Sequence, residues 1–338
     1  MGGRKKIMIK INKESETDTF QQNLTLGTKF HDFETRKQAV NVKKIITRHS
    51  KETSLRSKML SLNVDEERAS STYVPLLDAN YPKFKYKLIQ DKYVKIGSVM
   101  YHYYYLKQRN DSKGLYVLFH GIHESSRILS RVGDFLASHG FNVVILDLMN
   151  HGQTRILEKK EFDPIVSYWD FILHILDFQI TNQVYFYGRG FGASLSLSLY
   201  FSCPSYISIR KMILVAPQIT YCLNNTYSLV DYSRFSRNPY FQEWTKNASP
   251  IWFSKHRMIS DNEYTLIRYH CDHLVTKLKG KKRHSDTEVL LIRGSSDEFC
   301  IEEDIETLNN FFNSNCKTLC IPNGLHCMEH DREANLLL

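Results

Sequence analysis

From Gly114 onward, the chain alternates between short, almost continuously hydrophobic runs and longer stretches with helical periodicity. The hydrophobic runs are LYVLFHG (115–121), FNVVILD (141–147), QVYFYG (183–188), KMILVAP (211–217), EVLLIRG (288–294) and KTLCIPN (317–323). Runs of this length are typical of parallel strands that are covered on both faces. Their alternation with helices predicts an α/β fold, a mostly parallel doubly wound sheet with helices on both faces.

The stretch DPIVSYWDFILHILDF (163–178) carries the strongest helical signal. Its apolar residues recur at positions i, i+3, i+4 and i+7, namely Trp169, Ile172, Leu173 and Leu176. Asp163 and Pro164 are placed as helix cap and first helical residue. Upstream, KFKYKLIQD (83–91) and YVKIGSVMYHYYYLKQ (93–108) are rich in Tyr, Val and Ile and predict two strands of a meander.

Two parts of the chain depart from this alternation. About seventy residues, 218–286, separate the fourth and fifth of the hydrophobic runs, and an insertion of that length in a compact domain predicts a lid. Residues 1–71 are polar and lack sustained periodicity, which predicts a mostly disordered extension ahead of a domain at 72–338.

The formal net charge of +9 is concentrated in that extension, because residues 1–70 hold 15 Lys/Arg and 9 Asp/Glu, a local +6. Such a segment can contact an anionic membrane surface, or it can be a plain solvated tail. Aromatic residues do not alternate with its basic residues as they do where bases are stacked, so no nucleic acid is expected.

Composition restricts the compartment and the chemistry. No stretch is apolar enough for a signal peptide or a membrane span. The seven cysteines, an odd number, all lie from Cys203 onward, which favours a reducing, cytoplasmic location. Cys316 and Cys320 are close in sequence, but no finger-type cysteine and histidine spacing accompanies them, so neither a metal nor another cofactor is expected.

Polar motifs follow the hydrophobic runs, at the strand ends where ligands bind in open α/β sheets. They are HGIHESSR (120–127), DLMNHGQT (147–154), GRGFGAS (188–194), GSSDEF (294–299) and NGLHCMEHDRE (323–333). Their order over residues 80–335 resembles the α/β-hydrolase fold, most closely its monoacylglycerol lipase, lysophospholipase and serine aminopeptidase branch. SRNPYFQEWTKNASP (236–250) is similar to the lid region of that branch.

The resemblance implies a role for individual residues. Asp297 matches the acid and His326 the histidine of the catalytic triad, while the amides of Ile122 and Phe191 match the oxyanion donors. Gly190 occupies the position of the nucleophile, and glycine has no side chain with which to form an acyl-enzyme.

Other residues near these motifs are weaker candidates. Ser194 lies one helical turn past the elbow and is expected to point into the helix–sheet contact. Ser125 and Ser126, in the oxyanion loop, are discounted as substitute nucleophiles in the same way. Among the histidines, His120 and His151 are expected to buttress loops, and His123 to be exposed.

Three functions remain open from the sequence. The first is a pseudoenzyme that binds a lipid-like or acyl ligand, or a protein partner, much as the N-myc downstream-regulated family has this fold without a working triad. The second is an ester hydrolase that uses a substitute nucleophile or a water molecule activated by His326 and Asp297. The third is recruitment to a membrane or a partner through the basic extension.

Overall fold

The described part of the chain comprises residues 84–108, 112–157, 163–177, 183–220, 232–247, 274–278 and 286–330 of a computed structural model. The chain divides into two units, Met1–Ala69 and Ser70–Leu338. The first unit lies wholly outside the described residues, as does most of the predicted lid insertion. The account below therefore concerns the second unit.

The described residues of the second unit form a nine-stranded sheet. Its strands are β1 (Ile89–Ile96), β2 (Val99–Leu106), β3 (Leu115–Phe119), β4 (Asn142–Leu146), β5 (Arg155–Ile156), β6 (Gln183–Arg189), β7 (Ser208–Val215), β8 (Glu288–Gly294) and β9 (Cys316–Ile321). The spatial order is β1-β2-β4-β3-β6-β7-β8-β9, with β5 paired to β2. All pairings from β4 to β9 along this order are parallel, and those of β2 with β1, β4 and β5 are antiparallel.

Helices connect the parallel strands, as the alternation in the sequence predicts. They are α1 (Ser130–Ser138), α2 (Pro164–Leu176), α3 (Phe191–Phe201), α4 (Pro239–Asn247) and α5 (Glu302–Phe312). Short 3₁₀ turns cover Ser126–Leu129, Tyr232–Arg234, Asn313–Asn315 and Met328–His330. The prediction of an α/β sheet with helical crossovers is confirmed.

The six hydrophobic runs correspond to β3, β4, β6, β7, β8 and β9. Every residue of β3 and β4 is buried. β9 differs, because four of its six residues are exposed and only Ile321 is buried. Among the described strands it is the last in the sheet order, so it has a strand neighbour from that set on one side only. The expectation that every run is covered on both faces is therefore wrong for β9.

The ends of individual elements follow from local chemistry. Asp163 caps α2 as predicted, since its Oδ1 accepts hydrogen bonds from the amides of Ile165 at 2.8 Å and Val166 at 3.3 Å. The predicted meander strands are displaced, because the chain turns within the run 93–108, at Gly97 with a φ of 58°. Only glycine adopts that region freely, so the turn forms there and the strands become β1 and β2.

A buried histidine ties this hairpin to the loop after β4. His102 Nδ1 donates to Asp147 Oδ2 at 2.6 Å, and its Nε2 lies 2.8 Å from Asp91 Oδ1. Burial alone would lower the pKa of His102, but the hydrogen bonds to Asp147 and Asp91 outweigh it and raise the pKa to about 9.

This pKa makes the stability of the domain depend on pH. Because the folded-state pKa lies above the unfolded value of about 6.5, the stabilisation is complete below that pH and is lost as the pH rises to about 9. The free energy of unfolding of the wild type relative to His102→Gln is expected to fall by about 3 kcal/mol over this range. Urea unfolding at several pH values measures the difference. The exposed His139→Gln variant is the control, and an equal pH dependence in the two variants would contradict the assignment.

Candidate functional site

The turn between β6 and α3 has the backbone of a nucleophile elbow. Gly190 sits at its tip with φ 55° and ψ −119°. Its N–H donates to the carbonyl of Val215 at 2.9 Å, and its carbonyl accepts from Ala193 N–H at 3.1 Å. This sharp strand-to-helix turn is strained for any residue with a Cβ. The motif therefore retains the shape of the elbow without its reactive side chain.

Gly192 lets helix α3 approach strand β3. A Cβ at this position would lie 2.6 Å from the carbonyl oxygen of His120, and closer still to that of Phe119. Both neighbours are backbone atoms, so they cannot rotate away. Gly192 is therefore required for packing α3 against β3, independently of any catalytic role of the motif.

Gly192→Ala is accordingly expected to lower the free energy of unfolding by about 1–3 kcal/mol, the usual cost of overpacking. Ser198→Ala removes a buried hydroxyl of the same helix that donates to the carbonyl of Ser194; it is the control and is expected to lower stability by no more than about 1 kcal/mol. Chemical denaturation measures both. Equal effects of the two substitutions would show that β3 and α3 do not meet at Gly192.

The structure brings Asp297 and His326 together from the loops after β8 and β9. His326 Nδ1–H donates to Asp297 Oδ2 at 2.9 Å, and Asp297 Oδ1 accepts from the amide of Phe299 at 2.9 Å. Both side chains are buried. The rings of Phe235 and Phe299 meet the imidazole edge-on, with centroids 5.4 and 5.2 Å away. The histidine is therefore held in one tautomer and one orientation.

His326 faces Gly190 directly. A Cβ built on Gly190 would lie 2.9 Å from His326 Nε2 and 3.5 Å from Gln218 Oε1. Real Cβ atoms essentially never come so close to a nitrogen, so the imidazole occupies part of the space that a nucleophilic side chain would need. The position of His326 therefore fits a glycine at position 190 better than a residue with a side chain.

The loop after β3 carries Ile122 and is braced on both sides. Glu124 Oε2 accepts the N–H of Gly121 at 2.8 Å. His120 Nδ1 donates to the carbonyl of Gly121 at 2.7 Å, and its Nε2 accepts from Leu148 N–H at 3.0 Å. Burial lowers the pKa of His120 to about 4, so this ring is neutral. Its role is to join the loops after β3 and β4, as the sequence predicts.

The remaining candidates occupy varied positions. Ser194 is fully buried, and its hydroxyl donates to the carbonyl of Gln218, so it is not exposed to solvent. Ser125 and Ser126 are also fully buried. His151 Nδ1 contacts the carbonyl of Met149 at 2.9 Å. His123 is half-buried with a φ of 64°, so the expectation that it is exposed is wrong.

The sequence analysis does not predict a cluster of buried charges that lies next to the elbow. Arg189, the last residue of β6, forms ion pairs with Glu124 and, at 3.0 Å, with Glu329. All three side chains are buried. Burial favours a raised pKa in both carboxyls, but Arg189 holds the pKa of Glu124 below its usual value, while that of Glu329 stays raised. The signal that could have revealed the cluster is an arginine at the end of a central hydrophobic strand, where a charge needs a partner.

Arg189 thereby connects three parts of the site. Glu124 belongs to the loop after β3, and Glu329 follows His326 by three residues. The arginine itself immediately precedes Gly190. One guanidinium therefore links the loop after β3, the elbow and the loop that carries His326.

Within the described ranges, no group of three or more His, Cys, Asp or Glu side chains could hold a metal ion. Likewise, no helix in the described part of the chain is long and apolar enough to cross a membrane.

Comparison with solved structures identifies the same fold in several hydrolases. A soluble variant of monoglyceride lipase from Saccharomyces cerevisiae, in complex with a substrate analog, matches with a TM-score of 0.59 and 13% identity over 76% of this chain and 94% of that chain. The monoacylglycerol lipase of Paleococcus ferrophilus matches with a TM-score of 0.56 and 18% identity over 70% and 94%. A carboxylesterase of Nitrososphaera gargenis matches with a TM-score of 0.54 and 16% identity over 73% and 96%. At these identities the likeness concerns the fold. No curated protein matches the chain.

Family assignment rests on the sequence model described as serine aminopeptidase, S33, which matches residues 110–333. That span contains the elbow, both loops that meet it, and the Asp297–His326 pair. The sheet order and the strand-end motifs agree with the match. The chain therefore belongs to the serine aminopeptidase S33 family of α/β-hydrolases.

Proposed function

We propose that this protein is a pseudoenzyme that uses the hydrolase site to bind a lipid-like or acyl ligand without efficient hydrolysis. One observation carries the proposal. The elbow holds Gly190 in place of a nucleophile, and His326 Nε2 lies 2.9 Å from where a Cβ would stand. No acyl-enzyme can form on glycine, so the two-step reaction of the serine hydrolases is closed.

The surroundings support retention of a binding site. Asp297 and His326 keep their hydrogen bond, and the loop bearing Ile122 remains braced by Glu124. Related folds include lipases and a carboxylesterase, and the yeast lipase was crystallised with a substrate analog. An acyl compound is therefore the ligand class that we test.

Three measurements on the full chain test the proposal. A fluorophosphonate probe is expected to leave the protein unlabelled, because no serine among the described residues hydrogen-bonds to His326. The wild type is expected to hydrolyse p-nitrophenyl butyrate no faster than the His326→Ala variant does. Calorimetric titration with 1-octanoylglycerol, sodium octanoate and methyl octanoate is expected to show saturable binding of at least one compound. Absence of binding by all three would overturn the proposal.

A second function is favoured by a specific feature. His326 is oriented by Asp297 as a general base, and water at Gly190 would lie beside its Nε2. Direct attack by such a water molecule would hydrolyse an ester in one step. Ester hydrolysis by the wild type that is lost in His326→Ala, without fluorophosphonate labelling, would establish this function instead.

A further inference from the structure

We propose that the ligand at Gly190 is a free carboxylic acid rather than an ester, an inference that rests on the proposed function. At neutral pH the ligand arrives as a carboxylate and takes up one proton from solvent. This proton is shared between one ligand oxygen and His326 Nε2, at the place of the missing nucleophile hydroxyl. The second oxygen of the ligand lies at the N-terminus of α3. Apart from the position of this proton, no covalent bond forms or breaks.

The histidine supplies the first requirement. His326 is 3% exposed, and its Nδ1–H is committed to Asp297. In the neutral ring, Nε2 is therefore an acceptor that needs an O–H or N–H donor. Among the described residues, no side chain or backbone group supplies one, although this nitrogen is aimed at Gly190. A ligand hydroxyl at this point would donate the hydrogen bond that the described residues do not supply.

The helix supplies the second requirement. α3 has eleven residues and begins at Phe191, directly beside the unpartnered nitrogen. Gly190, as its N-cap, contributes no side-chain hydrogen bond. The positive end of the helix dipole therefore favours an oxygen that carries negative charge at this point.

These two requirements distinguish between acyl compounds. A carboxylic acid offers a hydroxyl to Nε2 and a carbonyl oxygen to the helix N-terminus. An ester offers only its carbonyl oxygen to the helix, and its alkoxy oxygen, which has no hydrogen, would place a lone pair opposite the lone pair of Nε2. If the proton moves to the imidazole, Asp297 stabilises the resulting cation and the helix stabilises the carboxylate.

Gln218 is the third polar group at this point. Its Oε1 lies 3.5 Å from the Cβ position of Gly190, and the residue is 7% exposed. Rotating the amide by 180° about its last bond presents the NH₂ group instead, which donates to a carboxylate. The aromatic rings of Phe235 and Phe299 pack edge-on against His326. A carboxyl group is thus matched by donors, an acceptor and apolar walls.

The test compares sodium octanoate with methyl octanoate, which have the same acyl chain, by calorimetric titration of the full-length protein. Wild type is expected to bind octanoate at least about 10-fold more tightly, the equivalent of one well-formed hydrogen bond. In His326→Phe, which keeps an aromatic ring but loses Nε2, the preference is expected to fall below about 3-fold. His139→Phe, at an exposed histidine, should keep the wild-type preference.

Each outcome has a distinct meaning. If both compounds bind wild type equally, or the ester binds more tightly, the carboxylic acid inference is overturned while the proposed function stands. A preference for octanoate that persists in His326→Phe also overturns it, because the selectivity would then come from elsewhere. Failure of 1-octanoylglycerol and both octanoyl compounds to bind contradicts the proposed function itself.

Discussion

Gly190→Ser is expected to create a serine that a fluorophosphonate probe labels. The substitution returns a hydroxyl to the elbow tip, where Gly190 already has the required backbone, with φ 55° and ψ −119°. His326 Nε2 faces that point, oriented by Asp297 at 2.9 Å. General-base activation contributes about 10²–10⁴-fold, so hydrolysis of p-nitrophenyl butyrate is expected to rise by at least about 100-fold.

Two costs accompany this gain. The new Cβ would be 2.9 Å from Nε2, so the imidazole must retreat by a few tenths of an ångström between Phe235 and Phe299. A side chain in this strained backbone region lowers the free energy of unfolding by about 1–3 kcal/mol. Urea unfolding of Gly190→Ser and Gly190→Ala is expected to show the same loss in both, since the strain comes from the Cβ.

Two control variants distinguish a serine that His326 activates from a serine that is merely accessible to the probe. The Gly190→Ala variant should neither be labelled by the fluorophosphonate nor hydrolyse p-nitrophenyl butyrate. The double variant Gly190→Ser with His326→Ala should be labelled only at the background rate. A folded Gly190→Ser protein that remains unlabelled would show that His326 cannot reach the hydroxyl. The defect would then extend beyond the missing side chain.

Arg189→Met is expected to cause the largest loss of stability. It removes the only guanidinium that pairs with Glu124 and Glu329 in the described part of the site, and both carboxyls remain buried. Breaking a buried pair in this way typically lowers the free energy of unfolding by about 3–5 kcal/mol. Chemical denaturation of the purified variant measures the loss.

The source of the loss can be isolated by neutralising the partners. The triple variant Glu124→Gln, Arg189→Met and Glu329→Gln leaves no buried charge in the cluster, and it should recover part of the stability lost in Arg189→Met. Arg210→Met, at an exposed position on β7, is the matched control and should change stability by less than about 0.5 kcal/mol. A loss below about 1 kcal/mol in Arg189→Met would mean that the cluster is not buried as described.

Several features of this protein are determined by local sequence. The hydrophobic runs predict the parallel strands because a strand covered on both faces needs apolar residues at successive positions. Asp163 and Pro164 predict the start of α2 because capping depends only on neighbouring amides. The order of the strand-end motifs indicates the family, and the glycine at the elbow is visible directly.

The tertiary structure decides which side chains meet. The pairing of Asp297 with His326, the link from His102 to Asp147 and the cluster around Arg189 join residues from 29 to over 100 positions apart. No local pattern encodes such distances, because they depend on how loops close at one end of the sheet. Sequence alone shows that Gly190 lacks a hydroxyl; only the fold places His326 Nε2 against the gap, with no described donor to satisfy it.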